Sequence, residues 1–298
     1  LDKKLGSGAS GTVFNGTLGG TGFECDYGDV ICKCLYSKDY DYDLWELLDD
    51  INSELMIYTK LKNTTYCCEL IGISWSEKTG TFYVILKNYG VNGDMSDYIN
   101  NSKFWTKYRT KDYSESEKEK SFYIYEYENN TWIYHMSTQI KIEMSLALCE
   151  AIKELHDRDI VHCDLKTNNL LYSETDKKVI IIDYGASHFM NKENYERINQ
   201  DWGTVGYTCK TLNKGICHKK CDIYSVAVCI LEIWVGGIWD GSETHKGTRK
   251  EVLNSLKVLE DKGNLEKELV KVLRGALNPN LDQRPYIKTF IKKLRKIF

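Results

Sequence analysis

At 298 residues the chain is long enough to bury a substantial core, as one large domain or two lobes. Its 42% hydrophobic and 28% charged residues are ordinary for a soluble globular protein. A net charge of −3 excludes a global attraction to nucleic acid or anionic membrane, so neither is expected as a partner.

Alternation and glycine punctuation predict strands in "GTVFNGTL" and "DVICKCLY", with the turn-rich "GGTGFECDYG" between them. An acidic stretch, "SKDYDYDLWELLDD", leads into "INSELMIYTKL", where Ile51, Leu55, Tyr58 and Leu61 share one helical face. "CELIGISWS" and "TFYVILKNYG" read as two further strands joined by "EKTG". From Gly93 the pattern turns helical. "TQIKIEMSLALCEAIKELHDRD" carries an apolar stripe at Ile142, Leu146, Cys149, Ile152 and Leu155, and "DIYSVAVCILEIWVGG" is apolar nearly all round, as a helix inside a large core is. The closing "IKKLRKIF" puts its cations in a last helical turn, where they suit the helix dipole.

Residues 101–137 interrupt this plan. "KYRTKDYSESEKEK" is polar and reads as flexible. "SFYIYEYENNTWIYH" alternates on both sides of Asn129-Asn130, as a β-hairpin with an Asn-rich turn does. Its Tyr125, Tyr127, Trp132 and Tyr134 are either a docking surface for a partner, around 121–136, or the packing face of an insertion lying on its own lobe.

The eleven cysteines are an odd number and often lie inside apolar runs such as "VICKC" and "AVCILEI", which points to free thiols in a reducing, cytoplasmic compartment. "CHKKC" (Cys217, His218, Cys221) has zinc-like spacing, yet no second ligand pair matches it, so structural or surface roles are expected. No apolar run reaches the ~18 residues of a membrane span, and no basic-then-apolar leader opens the chain. With Leu first and a motif already at Gly6, the chain reads as a piece of a longer protein.

Several segments carry chemistry. In "GSGASGTV", Gly6, Gly8 and Gly11 let a hairpin backbone approach phosphates closely. A dinucleotide fold needs a helix to start there; "GTVFNGTL" continues as a strand instead. Lys33 sits inside the apolar strand "VICKC", where burial demands an anionic partner; an edge lysine snorkelling to water is the bland alternative. Glu54 on the amphipathic helix suits that partnership better than Glu46, whose neighbours are less cleanly patterned. In "HCDLKTNN", Asp164 suits a hydroxyl proton, Lys166 the charge of a moving phosphoryl group and Asn169 a metal ion. "VIIIDYG" ends a buried strand at Asp183, a carboxylate placed for magnesium on a polyphosphate.

In that order, these segments resemble a eukaryotic-type protein kinase, and the resemblance covers nearly the whole chain. "GTVGY" resembles the segment that shapes the peptide shelf, "CDIYSVA" the start of a buried helix, and "DQRPY" the late arginine motif. The resemblance implies a bilobal α+β fold, with a small antiparallel-sheet N-lobe (1–88) holding one key helix and a larger, mainly helical C-lobe (89–298) with the insertion near 101–137. It implies that Gly6, Ser7, Gly8 and Gly11 cover the phosphates of ATP, and that Val13, Cys32 and Leu171 sandwich the adenine. Lys33, paired with Glu54, would contact the α and β phosphates, Asp164 would be the base, and Asn169 and Asp183 would bind Mg2+. Asp222 would brace the catalytic loop from beneath. Lys166 with Thr204 is similar to the serine/threonine pattern, so Ser or Thr of a protein substrate is the expected acceptor. Leu86 and Lys87 both remain open as the residue guarding the back of the pocket.

Three departures stand out. Cys163 replaces the family's Arg before the catalytic Asp, so the usual pairing with an activation-loop phosphate is not expected; a structural role is expected of the thiol rather than a nucleophilic one. Cys209-Lys210-Thr211 stands where the family has Ala-Pro-Glu, which leaves Arg284 to find another partner or water. Tyr184 replaces a Phe and adds a hydroxyl needing a partner. Ser187, Tyr195, Thr204 and Thr208 are the candidate phosphosites. A scaffold that binds nucleotide or partners without transfer is the rival reading. With only 2 prolines and much Lys, Asn, Ile and Tyr, the composition fits an AT-rich genome, such as that of a parasite or large virus, whose setting would be a host cytoplasm.

Overall fold

Glycine turns and short alternating runs fold the N-terminal part into a sheet. The computed structural model describes residues 3–8, 11–18, 28–35, 44–91, 93–100, 106–109, 124–127, 130–191, 195–197, 203–236 and 249–298. Within it β1 (Lys4–Gly8), β2 (Gly11–Leu18) and β3 (Gly28–Cys34) are successive antiparallel neighbours. After α1 (Leu44–Lys60), β4 (Leu70–Ser76) and β5 (Thr81–Lys87) complete a five-stranded sheet of order β1-β2-β3-β5-β4. Gly11 has φ 126°, and a Cβ there would collide with Cys34 O on β3, so the glycine is required where the hairpin closes on its neighbour.

Helix α1 begins inside the acidic stretch, earlier than its expected start. Leu44, Leu47 and Ile51 continue the three-and-four spacing of the apolar stripe, and the acids between them do not interrupt it. Ile51, Tyr58 and Leu61 are buried as expected and Leu55 is half-buried.

The second part is mainly helical. It opens with α2 (Met95–Asn100) and a three-stranded sheet formed by β6 (Thr106–Arg109), β7 (Ile124–Tyr127) and β8 (Asn130–His135), in the order β6-β8-β7. Residues 107–109 are expected from the sequence to be flexible, and with Thr106 they form β6. They are a strand because β8 offers them a ladder, from Thr106 opposite His135 to Arg109 opposite Trp132. The hairpin is present, with Tyr127 opposite Asn130, so Asn130 belongs to the strand and not to the turn. The side chains of Tyr125, Tyr127, Trp132 and Tyr134, and with them the docking surface, lie outside the described residues.

Ser137 caps α3 (Thr138–His156), its hydroxyl accepting from Ile140 N at 3.3 Å. Cys149, Ile152 and Leu155 of its stripe are fully buried. Short strands β9 (Ile160–Val161), β10 (Leu170–Ser173), β11 (Lys178–Ile181), β12 (His188–Phe189), β13 (Tyr195–Arg197) and β14 (Ile216–His218) pair as β10-β11, β12-β9 and β13-β14. Helix α4 (Lys219–Val235) is buried from Lys220 to Val235 and contacts α3, α5 (Arg249–Glu260) and α6 (Asn264–Ala276); α7 (Ile287–Leu294) packs on α3. One buried apolar cluster runs from Ile57 and Tyr58 on α1 through α3 and α4 to Phe290 and Leu294 on α7. Among the described residues, no helix is long and apolar enough to cross a membrane.

Candidate active site

Lys33 is the sheet's contribution. It is 4% exposed on β3, and its Nζ donates to Glu54 Oε1 at 2.8 Å, to Glu54 Oε2 at 3.0 Å and to Asp183 Oδ1 at 2.8 Å. Burial works against its charge, but the carboxylates of Asp183 and Glu54 outweigh it and hold the ammonium above its ordinary pKa. The choice between Glu54 and Glu46 therefore falls to Glu54, which is itself 5% exposed. Because Asp183 follows β11, these contacts tie the sheet, α1 and the second part together.

Strand register corrects one expected residue. Lys33 lies opposite Val13 on β2 and Val84 on β5, while Ile31 lies opposite Leu86. Directly opposed residues share a face and neighbours in a strand do not. Val13, Ile31, Val84 and Leu86 thus share the cleft face with Lys33, whereas Cys32, opposite Phe14 and Ile85, points the other way. Cys32 does not line the cleft; Ile31 takes that place. The same parity decides between Leu86 and Lys87: Leu86 is 6% exposed on the cleft face, and Lys87 pairs with Glu69 at 3.4 Å on the outside. Gly6 is opposite Val13, Ser7 opposite Thr12 and Gly8 opposite Gly11, a hairpin with no helix start. Leu171 lies on β10, opposite Ile180 and half-buried.

The loop after β9 is shaped by Asp222. This carboxylate, 1% exposed at the start of α4, accepts from His162 N at 2.9 Å and Cys163 N at 3.1 Å, with His156 Nε2 at 2.9 Å. Held this way, Cys163 adopts a left-handed φ of 64° and turns the chain so that Asp164 emerges from the core. Asp164 Oδ1 accepts from Thr204 Oγ1 at 2.7 Å, and Oδ2 accepts from Lys166 Nζ at 2.9 Å and Asn169 Nδ2 at 3.2 Å. Lys166 also donates to Thr204 Oγ1 at 2.8 Å. With Asn169 Nδ2 turned to Asp164, its Oδ1 is the atom left to meet a cation. Ile182 N donates to Asn169 O at 3.0 Å, which sets Asn169 beside the strand end bearing Asp183. An amide oxygen next to a carboxylate is a hard, all-oxygen donor pair of the kind magnesium takes, with phosphate oxygens and water completing its shell.

The departures find physical explanations. Cys163 is 1% exposed, and burial followed by its contact with Cys217 pushes the thiol well above its usual range, which disfavours the nucleophilic thiolate. Tyr184 OH donates to Ile181 O at 2.9 Å and accepts from Cys68 N at 3.3 Å, and its ring meets Tyr58 edge-on at 5.0 Å. Tyr184→Phe is expected to cost about 1 kcal/mol of stability by denaturant titration; no loss would mean that the hydroxyl bonds are immaterial. Arg284, 2% exposed, finds backbone carbonyls, donating to Asn278 O at 2.7 Å and Lys220 O at 3.1 Å.

Two contacts had no local sequence signal. They are His156 on Asp222 and a buried chain in which Tyr207 OH donates to Glu232 Oε2 at 2.6 Å with Thr167 Oγ1 3.2 Å away. Each joins residues far apart in the chain.

A buried lysine tied to a helix carboxylate, facing an Asp/Lys/Asn loop across a cleft, is the arrangement of a phosphotransferase. Over residues 1–294 the chain matches the family described as protein tyrosine and serine/threonine kinase. The chain belongs to that family. It is 26% identical over 147 residues (47% of this chain, 25% of the relative) to the membrane-associated tyrosine- and threonine-specific cdc2-inhibitory kinase of Drosophila melanogaster. It is 33% identical over 108 residues (36% and 13%) to serine/threonine-protein kinase kin-29 of Caenorhabditis briggsae. To the LEAF RUST 10 disease-resistance locus receptor-like protein kinase-like 1.2 of Arabidopsis thaliana it is 25% identical over 234 residues (78% and 29%). The chain spans less than a third of the length of each of these relatives.

Proposed function

We propose that this chain transfers the γ-phosphate of Mg-ATP to Ser or Thr hydroxyls of protein substrates without requiring a phosphate on its own activation loop. The observation that carries this reading is the joined network Glu54–Lys33–Asp183 and Asn169–Asp164–Lys166–Thr204, in which every link is a direct hydrogen bond. Asn169 and Asp183 would hold a magnesium ion, which would neutralise charge on the polyphosphate. Lys33 positions the α and β phosphates through an ammonium that Glu54 keeps in place. Asp164 orients the acceptor hydroxyl and takes its proton as the oxygen attacks the γ-phosphorus and the bond to the β-phosphate oxygen breaks. Lys166 offsets the charge spread over the moving phosphoryl group. Val13, Ile31, Leu86 and Leu171 form the apolar lining for the adenine in this reading.

Ser or Thr as acceptor rests on Lys166 and Thr204, which resemble the serine/threonine pattern and are bonded to Asp164 and to each other. Independence from loop phosphorylation rests on what holds the segment after Asp183. β12 is laddered to β9 and β13 to β14, and Thr204 is bonded to Asp164. Ser187 is only 7% exposed and donates to His162 O at 3.3 Å, so it is poorly placed to receive a phosphate. A reducing, cytoplasmic setting is part of the proposal and rests on the odd number of cysteines and their place inside apolar runs.

Phosphoamino-acid analysis of a labelled protein substrate tests the acceptor: phosphoserine or phosphothreonine is expected, and phosphotyrosine alone would overturn the assignment. Phosphatase treatment of the enzyme before assay is expected to leave the rate unchanged. Loss of activity on dephosphorylation, restored by rephosphorylation, would contradict the loop reading.

A further inference from the structure

The last helix carries a charge imbalance that the chemistry of the cleft does not use. The chain as a whole has a net charge of −3. Yet α7 and the turn after it hold Lys288, Lys292, Lys293, Arg295 and Lys296, all exposed, with no carboxylate among them. Ile287, Phe290, Ile291 and Leu294 bury the other face of α7, so the helix is anchored and its cations stand on a fixed edge. The helix dipole accounts for Lys292 and Lys293, which lie in the last turn. It does not account for Lys288. That lysine lies in the first turn, where a cation is disfavoured, and four residues before Lys292, where like charges repel.

Between α3 and α7 these cations line a groove of about 470 Å³. Lys288, Lys292, Arg295 and Lys296 come to it from α7 and its following turn, and Lys153 comes from α3. Ile291 and Glu150 complete the lining. Two carboxylates meet this set. Glu150 accepts from Arg295 at 2.7 Å, and Asp157 is divided, one oxygen accepting from Lys153 and the other from Lys288, both at 2.9 Å. Among the described residues, Lys292 and Lys296 have no carboxylate partner. Five cations thus face two anions, an excess of three positive charges around a space of small-molecule size. The ion pairs that do form are partly exposed and so weakly held, and their ammonium groups can turn to a stronger anion at little cost.

We propose that the groove between α3 and α7 binds a compact anion carrying several phosphates, of the inositol-polyphosphate class. A ligand with charges pointing in several directions meets Lys153 and the lysines of α7 at once, which the flat acidic face of a protein does not. It also offsets the repulsion between Lys288 and Lys292. Lys153 lies one turn before His156, whose Nε2 meets Asp222 at 2.9 Å, so an anion held here steadies the end of the helix that contacts the brace of the catalytic loop.

The test is calorimetric titration of the whole chain with inositol hexakisphosphate, with the melting temperature followed alongside. Saturable binding that raises the melting temperature and weakens as salt rises is expected. A Lys292→Glu/Lys296→Glu variant is expected to bind about tenfold or more weakly. A Lys60→Glu/Lys62→Glu variant, with the same change of net charge on exposed residues at the end of α1, is expected to bind like the parent. No binding by the parent, or equal losses in the two variants, overturns the site. So does binding that Mg-ATP displaces and the Lys292→Glu/Lys296→Glu change leaves untouched, which would put the anion in the cleft. Polyglutamate binding as tightly as the phosphorylated probe overturns the assignment of phosphate. Vesicles containing phosphatidylinositol bisphosphate separate the two sources of such a group. A free anion is expected, with the vesicles left unbound; vesicle capture lost in the Lys292→Glu/Lys296→Glu variant would keep the site and make its ligand a lipid headgroup. None of these readouts requires phosphate transfer, so failure here is distinct from failure of the kinase reading.

Discussion

Replacing Asp164 with Asn is expected to lower phosphate transfer by about 10²- to 10⁴-fold, the usual contribution of a positioned general base, while Mg-ATP still raises the melting temperature. Asp164 offers one oxygen to Thr204 and the other to Lys166 and Asn169, so both lone-pair faces sit among donors. An Asn side chain keeps the shape but turns an NH2 toward one of those donors, and it has no charge with which to accept a proton or balance Lys166. The nucleotide contacts proposed for Lys33, Asn169 and Asp183 remain. A variant as fast as the parent would remove Asp164 from the chemistry, and loss of the Mg-ATP shift would show that it had been holding the nucleotide site together instead.

The second large effect is on stability. Asp222→Ala removes the acceptor shared by His162 N, Cys163 N and His156 Nε2, all of them buried. Leaving these donors without partners is expected to cost about 3–5 kcal/mol, a fall in Tm of roughly 10 °C for a chain of this size. Transfer falls as well, because the left-handed turn at Cys163 loses the anchor that aims Asp164. Thermal melting and the transfer assay read the two losses separately. A variant that melts with the parent would mean that water or another group satisfies the loop, and the brace described for Asp222 would fail.

How much was legible before the structure depends on the range of each signal. Glu54 was readable because Ile51, Leu55 and Tyr58 set a helical face, and that face fixes which acid turns toward Lys33. Asp164, Asn169 and Asp183 stand out in the sequence as polar residues at strand ends, and the structure brings Asn169 onto Asp164 and Asp183 onto Lys33. The error at Cys32 came from treating a motif as a neighbourhood. Its position next to Lys33 already put it on the opposite face, and strand parity alone points to Ile31. Leu86 needed the actual register, since a strand end can slip by one residue without changing its composition. The start of α1 was hidden because acidic residues masked an apolar spacing that begins at Leu44. β6 was hidden because a polar four-residue strand exists only through its partner. The bond from Tyr207 to Glu232 joins two distant segments, and no local pattern announces it.

Phosphate transfer by this chain is the central claim. The most direct measurement is incorporation of label from γ-labelled Mg-ATP into a generic basic protein substrate, and into the chain itself, with Asp164→Asn alongside. Label with the parent and none above background with the variant is the predicted result. No label with either, while Mg-ATP still raises the melting temperature, would contradict it and make the chain a nucleotide-binding scaffold.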